Sequence, residues 1–176
     1  MKRDFSIFRK RLRGEAVELI CAYMAGYSGT PLPQKLGIKP GTTVAAINVP
    51  SNYRRLLGKL PSGVTFANRI RAGSNFIHFF TGSRAELAKE LSLLRKKIAE
   101  NGVVWISWPK KSSGVPTDIT EDVIRDIALP IGFVDIKVCA VDETWSGLKL
   151  MIRKTNRKIP SPQPSQRSAR SRSRGG

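Results

Sequence analysis

The sequence predicts an α/β domain whose sheet is mostly parallel and whose last two strands pair as an antiparallel hairpin at one edge. Apolar runs bounded by turn residues alternate with stretches of helical periodicity. The first run, TTVAAINVP, has a continuous apolar stretch, which is typical of parallel strands covered on both faces. The last two runs lie too close together for a crossover helix, so they should pair antiparallel. We therefore expect a three-layer, Rossmann-like architecture.

The predicted strands are short apolar runs between glycine, proline and asparagine. In chain order they are Thr42–Pro50, Gly63–Asn68, Asn75–Phe80, Val103–Ser107, Phe133–Val141 and Leu148–Arg153. The segment Tyr27–Gly41 is predicted to be a loop with one short helical piece. Ser146 and Gly147 are expected to make the turn between the last two strands.

The strongest helix signal covers Ser83–Glu100. Ser83 and Glu86 have the spacing of a capping box, in which each side chain satisfies a backbone N–H of the first turn. An apolar stripe follows at helical spacing, and Asn101–Gly102 is expected to end the helix. The stripe consists of Leu87, Leu91, Leu94 and Ile98.

Two further helices are predicted from their capping residues. Ser51 is expected to cap a short helix that runs through Leu57 and ends at Gly58. Asp118 and Glu121 have capping-box spacing, and the helix that they begin should run to about Leu129, before Pro130.

The positive charge divides the chain into three parts. The chain has 176 residues and a formal net charge of +18. Residues 1–23 read as a basic leader, with an upstream extension before a start at Met24 as the alternative. Residues 24–156 are predicted to form a single domain with a net charge of +9, and residues 157–176 a disordered tail with +6.

The tail could bind nucleic acid or another polyanion weakly, because arginine-rich disordered segments release counterions from phosphates. The alternative is a solvated tail that aids solubility. The arginines expected to make the contacts are Arg167, Arg170, Arg172 and Arg174.

Cysteine and histidine usage indicates a cytoplasmic protein without a metal site. The two cysteines, Cys21 and Cys139, form no CxxC pair. The only histidine, His78, lies in an apolar run and is expected to be structural. No cofactor is expected, and no apolar run has the roughly 20 residues needed to span a membrane.

Candidate ligand-binding residues follow the predicted strands. In open α/β sheets, ligands bind beyond the carboxyl ends of strands, where the strand order switches. Lysines, hydroxyls and a helix N-terminus can together hold an anion, and a tryptophan can stack on a flat group. The alternative is a set of solvated loop charges and helix caps. The residues are Asn48, Thr81, Ser83, Trp108, Lys110, Lys111, Ser112 and Thr117.

Three long stretches resemble a bacterial family described as domain of unknown function 3052. They are AGYSGTPLPQKLGIKPG, WPKKSSGVPTDITEDVIR and GFVDIKVCAVDETWSGLKLMIR. The resemblance covers about Met24 to Arg157. It implies a small cytoplasmic protein of unassigned activity and favours Met24 as the natural start.

A more distant resemblance is to the methyltransferase fold. It rests on LGIKPGTTVAAINVP, on the helix–strand unit that ends in VVWISWP, and on the terminal hairpin. The resemblance implies a glycine-rich turn after the first strand and an acidic residue after the second, which hold S-adenosylmethionine. Here the first turn reads INVPSNYRR, and Arg69 and Arg71 follow the second strand.

These departures make a non-catalytic binding or regulatory module the expected function, and a methyltransferase an unlikely one. The chain shows no recognisable nucleophile–base pair, metal cluster or cofactor motif, so we expect no enzyme. Two alternatives stay open. One is a nucleic-acid-associated basic protein, and the other is an enzyme or binder that takes an anionic small molecule at the Lys110–Lys111 loop.

Overall fold

A six-stranded sheet forms the centre of the computed structural model, which describes residues 29–157. The strands are β1 (Thr43–Ile47), β2 (Thr65–Ala67), β3 (Ser74–Phe80), β4 (Ile98–Pro109), β5 (Phe133–Ala140) and β6 (Trp145–Ile152). Their order across the sheet is β2-β1-β3-β4-β6-β5.

Four α-helices are found among these residues. They are α1 (Leu32–Leu36), α2 (Tyr53–Leu57), α3 (Arg84–Lys97) and α4 (Glu121–Ala128). Single 3₁₀ turns follow β4 at Lys111–Ser113 and β6 at Lys154–Asn156.

The pairing of the strands confirms the predicted fold class. Strand β1 pairs in parallel with β2 and β3, and β3 pairs in parallel with β4. Strand β6 runs antiparallel to both of its neighbours, β4 and β5. The terminal hairpin is therefore at one edge of the sheet, as expected, but its last strand lies inside the sheet and β5 is the outer strand.

The sheet carries a separate apolar cluster on each face. On one face α3 and α4 pack against the sheet, and fully buried residues such as Leu91, Ile106 and Ile124 make that core. On the other face α1 and α2 pack against residues such as Phe80 and Trp105. Burial on both faces explains why β1 and β4 are largely apolar along their length, whereas the outer strand β5 is partly exposed and contains Asp135 and Lys137.

His78 lies at the centre of the second face and is fully buried. Its Nδ1 lies 2.9 Å from the hydroxyl of Tyr53, and its Nε2 lies 2.8 Å from Oγ of Ser107. A neutral imidazole has one donor and one acceptor nitrogen, and either hydroxyl can serve either nitrogen. Both ring nitrogens are thus satisfied within the core, which is the structural role predicted for this residue.

The prediction that α3 extends to Glu100 is wrong. The helix ends at Lys97, and Ile98 has the extended dihedral angles of a strand (φ −68°, ψ 139°). Ile98 pairs with Ser74 of β3, so strand pairing overrides the helical periodicity at this point. Gly102 does not end a helix, because it lies within β4. A Cβ there would lie 2.7 Å from Cδ1 of Ile98, so close packing requires the glycine.

The prediction that Ser146 and Gly147 form the hairpin turn is also wrong, because both lie within β6. The turn comes earlier, where Oδ1 of Asp142 accepts hydrogen bonds from the backbone N–H groups of Thr144 and Trp145. Gly147 is needed for packing: a Cβ there would lie 3.3 Å from the Trp105 ring.

Two of the predicted helix caps also need correction. The residue before α2 is Asn52 rather than Ser51, and it makes no side-chain capping bond. Helix α4 is capped by Thr120, whose Oγ1 accepts from the N–H of Val123, and not by Asp118. Asp118 instead lies against another helix. The sequence spacing indicates that a helix begins here, but it does not tell whether the side-chain oxygen of Asp118 or of Thr120 caps it.

Some predictions fall outside residues 29–157. These are the leader with Cys21, the start at Met24 and the tail beyond Arg157, with Arg167, Arg170, Arg172 and Arg174. Within the described part of the chain, no helix is long and apolar enough to cross a membrane.

Candidate functional site

The carboxyl ends of β1 and β3 mark the point where the strand order reverses. Strand β2 lies on one side of β1, and the following strand, β3, lies on the other. The loops that follow β1 and β3 therefore leave the same edge in diverging directions and open a crevice, which is where open α/β sheets bind ligands. We call this crevice the switch crevice; Asn48 and Thr81 begin its two walls.

Asn48 turns the chain sharply at the end of β1. Its φ is 52°, in the left-handed region, and it is the only residue other than glycine with a positive φ between residues 29 and 157. Asparagine tolerates this conformation better than most side chains do. Asn48 thus adopts the left-handed conformation that glycine usually provides in such a turn.

Glu86 joins the two walls of the switch crevice. Its Oε1 accepts a 2.7 Å hydrogen bond from Nδ2 of Asn48, and its Oε2 accepts one from Oγ1 of Thr81. The residue is half-buried on the first turn of α3. A carboxylate between the two strand ends is the main polar feature of this site.

The predicted capping box is present only in part. Oγ of Ser83 accepts from the N–H of Glu86, as predicted. The N–H of Ser83 donates to Oγ1 of Thr81 rather than to Glu86. Thr81 therefore takes over half of the box, and the carboxylate of Glu86 is released to face Asn48. The sequence spacing predicted only a capping role for Glu86. It did not predict the contacts of Glu86 in the switch crevice.

The loop after β4 closes over the N-terminus of α3. Oγ1 of Thr117 donates to the carbonyl oxygen of Gly82 at 2.9 Å. Oδ1 of Asp118 accepts from the N–H of Arg84 at 2.6 Å. The chain's own carboxylate thus occupies the position where a helix N-terminus would bind an anion.

The remaining candidate residues lie on the same edge but do not converge on one point. Nζ of Lys110 donates to the carbonyl oxygen of Asp142 at 2.6 Å, which holds it against the β5–β6 turn. Trp108 is only 6% exposed and packs in the core beneath α3 and α4. Lys111 and Ser112 are exposed on the 3₁₀ turn. Asn48, Thr81, Ser83 and Thr117 are the candidates that the structure brings together.

No protein-family model matches the chain, and no curated protein matches it. The resemblance to domain of unknown function 3052 therefore finds no support in these comparisons.

Solved structures do match the chain. A SAM-dependent methyltransferase from Aquifex aeolicus has a TM-score of 0.50 and 15% identity, with 69% of this chain and 87% of that chain covered. A complex of DhpI with SAH has a TM-score of 0.51 and 13% identity, covering 85% and 95%. The magnesium protoporphyrin IX methyltransferase from Synechocystis PCC 6803, with bound SAM, has a TM-score of 0.50 and 13% identity, covering 87% and 86%. The chain therefore has a Rossmann-like fold, as these structures do.

This finding contradicts the expectation of a non-catalytic binding or regulatory module, and with it the view that a methyltransferase is unlikely. Two of the three structures named above are methyltransferases, and the third is a complex with SAH. At identities of 11–15% among such matches, likeness of fold gives no residue roles, so these come from the switch crevice itself.

Proposed function

We propose that this protein binds S-adenosylmethionine (SAM) in the switch crevice and transfers its methyl group to an acceptor. The observation that carries the proposal is the carboxylate of Glu86, held between the ends of β1 and β3 in a Rossmann-like fold that the matched methyltransferases also have.

The turn after β1 fits the cofactor. The resemblance called for a glycine there, so that backbone can approach the ligand, and the sequence has none. Asn48 supplies the left-handed conformation that makes the turn equally sharp. Its side chain is held by the hydrogen bond from its Nδ2 to Oε1 of Glu86. The absence of a glycine is therefore compensated by local geometry.

The carboxylate of Glu86 also fits. SAM carries a sulfonium, an ammonium and two ribose hydroxyls, all of which a carboxylate attracts or binds. An ionised carboxylate has about four acceptor sites. One hydrogen bond to each oxygen comes from Asn48 and Thr81, so acceptor capacity remains for a ligand. Charge-assisted hydrogen bonds of this kind are roughly twice as strong as neutral ones.

The sequence still departs from the methyltransferase pattern at one position, the end of β2. The residues after β2 are Asn68 and Arg69, where the resemblance called for an acid. In this protein the acidic group comes from the first turn of α3, next to β1 and β3, rather than from the end of β2.

When bound, SAM supplies an electrophilic methyl group. The part of this chain is to bind and orient: Glu86 would hold the positively charged or hydroxylated portion, and Asn48 and Thr81 would fix the direction of the carboxylate. Thr117 and Asp118 hold the adjoining loop against α3, so that wall of the crevice is set before a ligand arrives.

The proposal is tested by titrating the full chain with SAM and with S-adenosylhomocysteine in a calorimeter. We expect Glu86→Gln to weaken binding of SAM by about tenfold, equivalent to roughly 1.4 kcal/mol. The matched control is Glu90→Gln, which makes the same charge change one turn further along α3 and should bind like the wild type.

Methyl transfer is then measured with SAM carrying a labelled methyl group and a cell lysate as the source of acceptors. Label should enter a lysate component with the wild type and decline with Glu86→Gln. Failure of the wild type to bind either compound at millimolar concentration would overturn the proposal. Equal weakening by the Glu90 variant would show that general charge, and not the crevice, is responsible.

A further inference from the structure

A second pocket opens at the opposite end of the sheet, at the amino ends of β1 and β3. Its volume is about 1240 Å³, and its walls come from the loops before these strands and from the adjoining ends of β4 and β6. It shares no lining residue with the switch crevice residues Asn48, Thr81 and Glu86. We call it the amino-edge pocket.

The charge of the amino-edge pocket is entirely positive. Its lining includes Lys39, Arg69, Arg71 and Lys149, and no aspartate or glutamate. The ion pairs between side chains of residues 29–157 all involve Arg125 of α4, which is not a lining residue of the pocket. Four cations therefore share this space without an acidic neighbour in the wall.

The surroundings of Lys149 show that grouping these positive charges destabilises the folded protein. It is half-buried within β6, and its Nζ lies 3.9 Å from the point where a Cβ on Gly37 would be. Burial lowers the pKa of Lys149, and the charges of Lys137 and Lys39 lower it further. A cation that is desolvated and surrounded by other cations destabilises the fold unless an anion joins it.

The backbone around the cations is fixed by local hydrogen bonds. The N–H of Lys39 donates to Oγ1 of Thr42, and the N–H of Thr42 returns a bond to the carbonyl of Lys39. Ser74 holds Arg71 in the same reciprocal way through its Oγ. Because these turns are already formed, binding an anion would not require the loops to be ordered first.

Neutral donors complete the lining. Asn68, Asn75 and Asn101 also line the amino-edge pocket, and Oδ1 of Asn101 accepts from Arg157. Guanidinium groups bind phosphate oxygens in pairs, and ammonium groups act as point charges towards them. The number and spread of these groups suit several anionic oxygens rather than one.

We propose that the amino-edge pocket binds a small molecule that carries two or more linked phosphate groups. This site is separate from the proposed methyl-donor site, and neither proposal depends on the other.

The test is calorimetric titration of the full chain with inorganic pyrophosphate, ATP and adenosine, at about 0.15 M salt to screen diffuse attraction. Pyrophosphate and ATP should bind and adenosine should not. Tighter binding of ATP than of pyrophosphate would identify the ligand as a nucleotide, and equal binding would identify the linked phosphates alone.

Lys149→Met and Arg69→Gln should each weaken pyrophosphate binding by about tenfold, because each removes one charge-assisted contact. The matched control is Lys89→Met, which removes the same charge from an exposed position on α3. It should bind pyrophosphate like the wild type.

The melting temperature gives a second measurement. Lys149→Met is expected to stabilise the ligand-free protein although it weakens pyrophosphate binding. In the absence of ligand, Lys149→Met should raise the melting temperature, since it removes a half-buried charge from among like charges. A variant that is more stable yet binds more weakly cannot be explained by misfolding. The proposal is overturned if pyrophosphate does not bind, or if Lys89→Met weakens binding as much as Lys149→Met. SAM titration of the same variants should be unchanged, so failure here is distinct from failure at the switch crevice.

Discussion

Replacing His78 with glutamine should remove much of the acid sensitivity of this domain. The buried imidazole bonds to the hydroxyls of Tyr53 and Ser107 and has no acidic partner among these contacts. Burial lowers the pKa of His78 from 6.5 to about 3. Glutamine keeps a donor and an acceptor at this position but cannot titrate, so it isolates the effect of the proton.

The direction and the magnitude of this change in the free energy of unfolding follow from the difference between the folded and unfolded pKa values of His78. Between the lowered folded pKa and the ordinary unfolded pKa of His78, the unfolded chain binds the proton and the folded chain does not. Stability from this group is therefore complete above the unfolded pKa and is lost as the pH falls towards the folded pKa. From about pH 6.5 to about pH 4.5 the loss is about 2 kcal/mol.

The measurement is urea unfolding of both proteins, followed by fluorescence of the buried Trp105 and Trp108, at a series of pH values. The carboxylates titrate in both proteins, so the difference between the two slopes reports His78. We expect the free energy of unfolding of the wild type to fall about 2 kcal/mol further than that of the variant over this range. Parallel pH profiles, or an imidazole that titrates near its ordinary pKa by NMR in the folded protein, would refute the reasoning.

Three further changes test the packing and the caps by urea unfolding. Asp118→Ala removes the acceptor for the N–H of Arg84 and should lower the free energy of unfolding by about 1 kcal/mol; an unchanged value would show that solvent replaces the bond. Gly147→Ala places a methyl group 3.3 Å from the Trp105 ring and should cost about 1 kcal/mol, with shifted tryptophan fluorescence. Leu91→Ala empties a fully buried position and should cost about 3 kcal/mol; a cost below about 1 kcal/mol would contradict the packing of α3 on the sheet.

The sequence predicted the layers of the fold because they depend on patterns that are local along the chain. The stripe of Leu87, Leu91 and Leu94 is buried as predicted. Strands such as β1 and β4 are largely apolar because both faces of the sheet are covered there. Gly102 was wrongly predicted to end a helix, and Gly147 was wrongly predicted to form a turn. Each is required by a neighbour in space, Ile98 and Trp105 respectively, and glycine gives the same signal in both situations.

The candidate site was predicted only in part for the same reason. The loops at Asn48 and Thr81 were found because the edge of a parallel sheet can be inferred from strand order. Glu86 was missed as a site residue because its partner Asn48 lies 38 positions away in the chain. The amino-edge pocket combines four separate segments, and the sequence has no local pattern that would unite them.

The position of β6 between β4 and β5 constrains the order in which the protein can be completed during synthesis. Strand β5 emerges before β6 but has no place in the sheet until β6 has paired with β4. Until then the edge of β4, with its row of unpaired backbone groups, is open to other chains. A chain that ends before Trp145 would therefore leave the edge of β4 exposed, and such a chain is prone to aggregate.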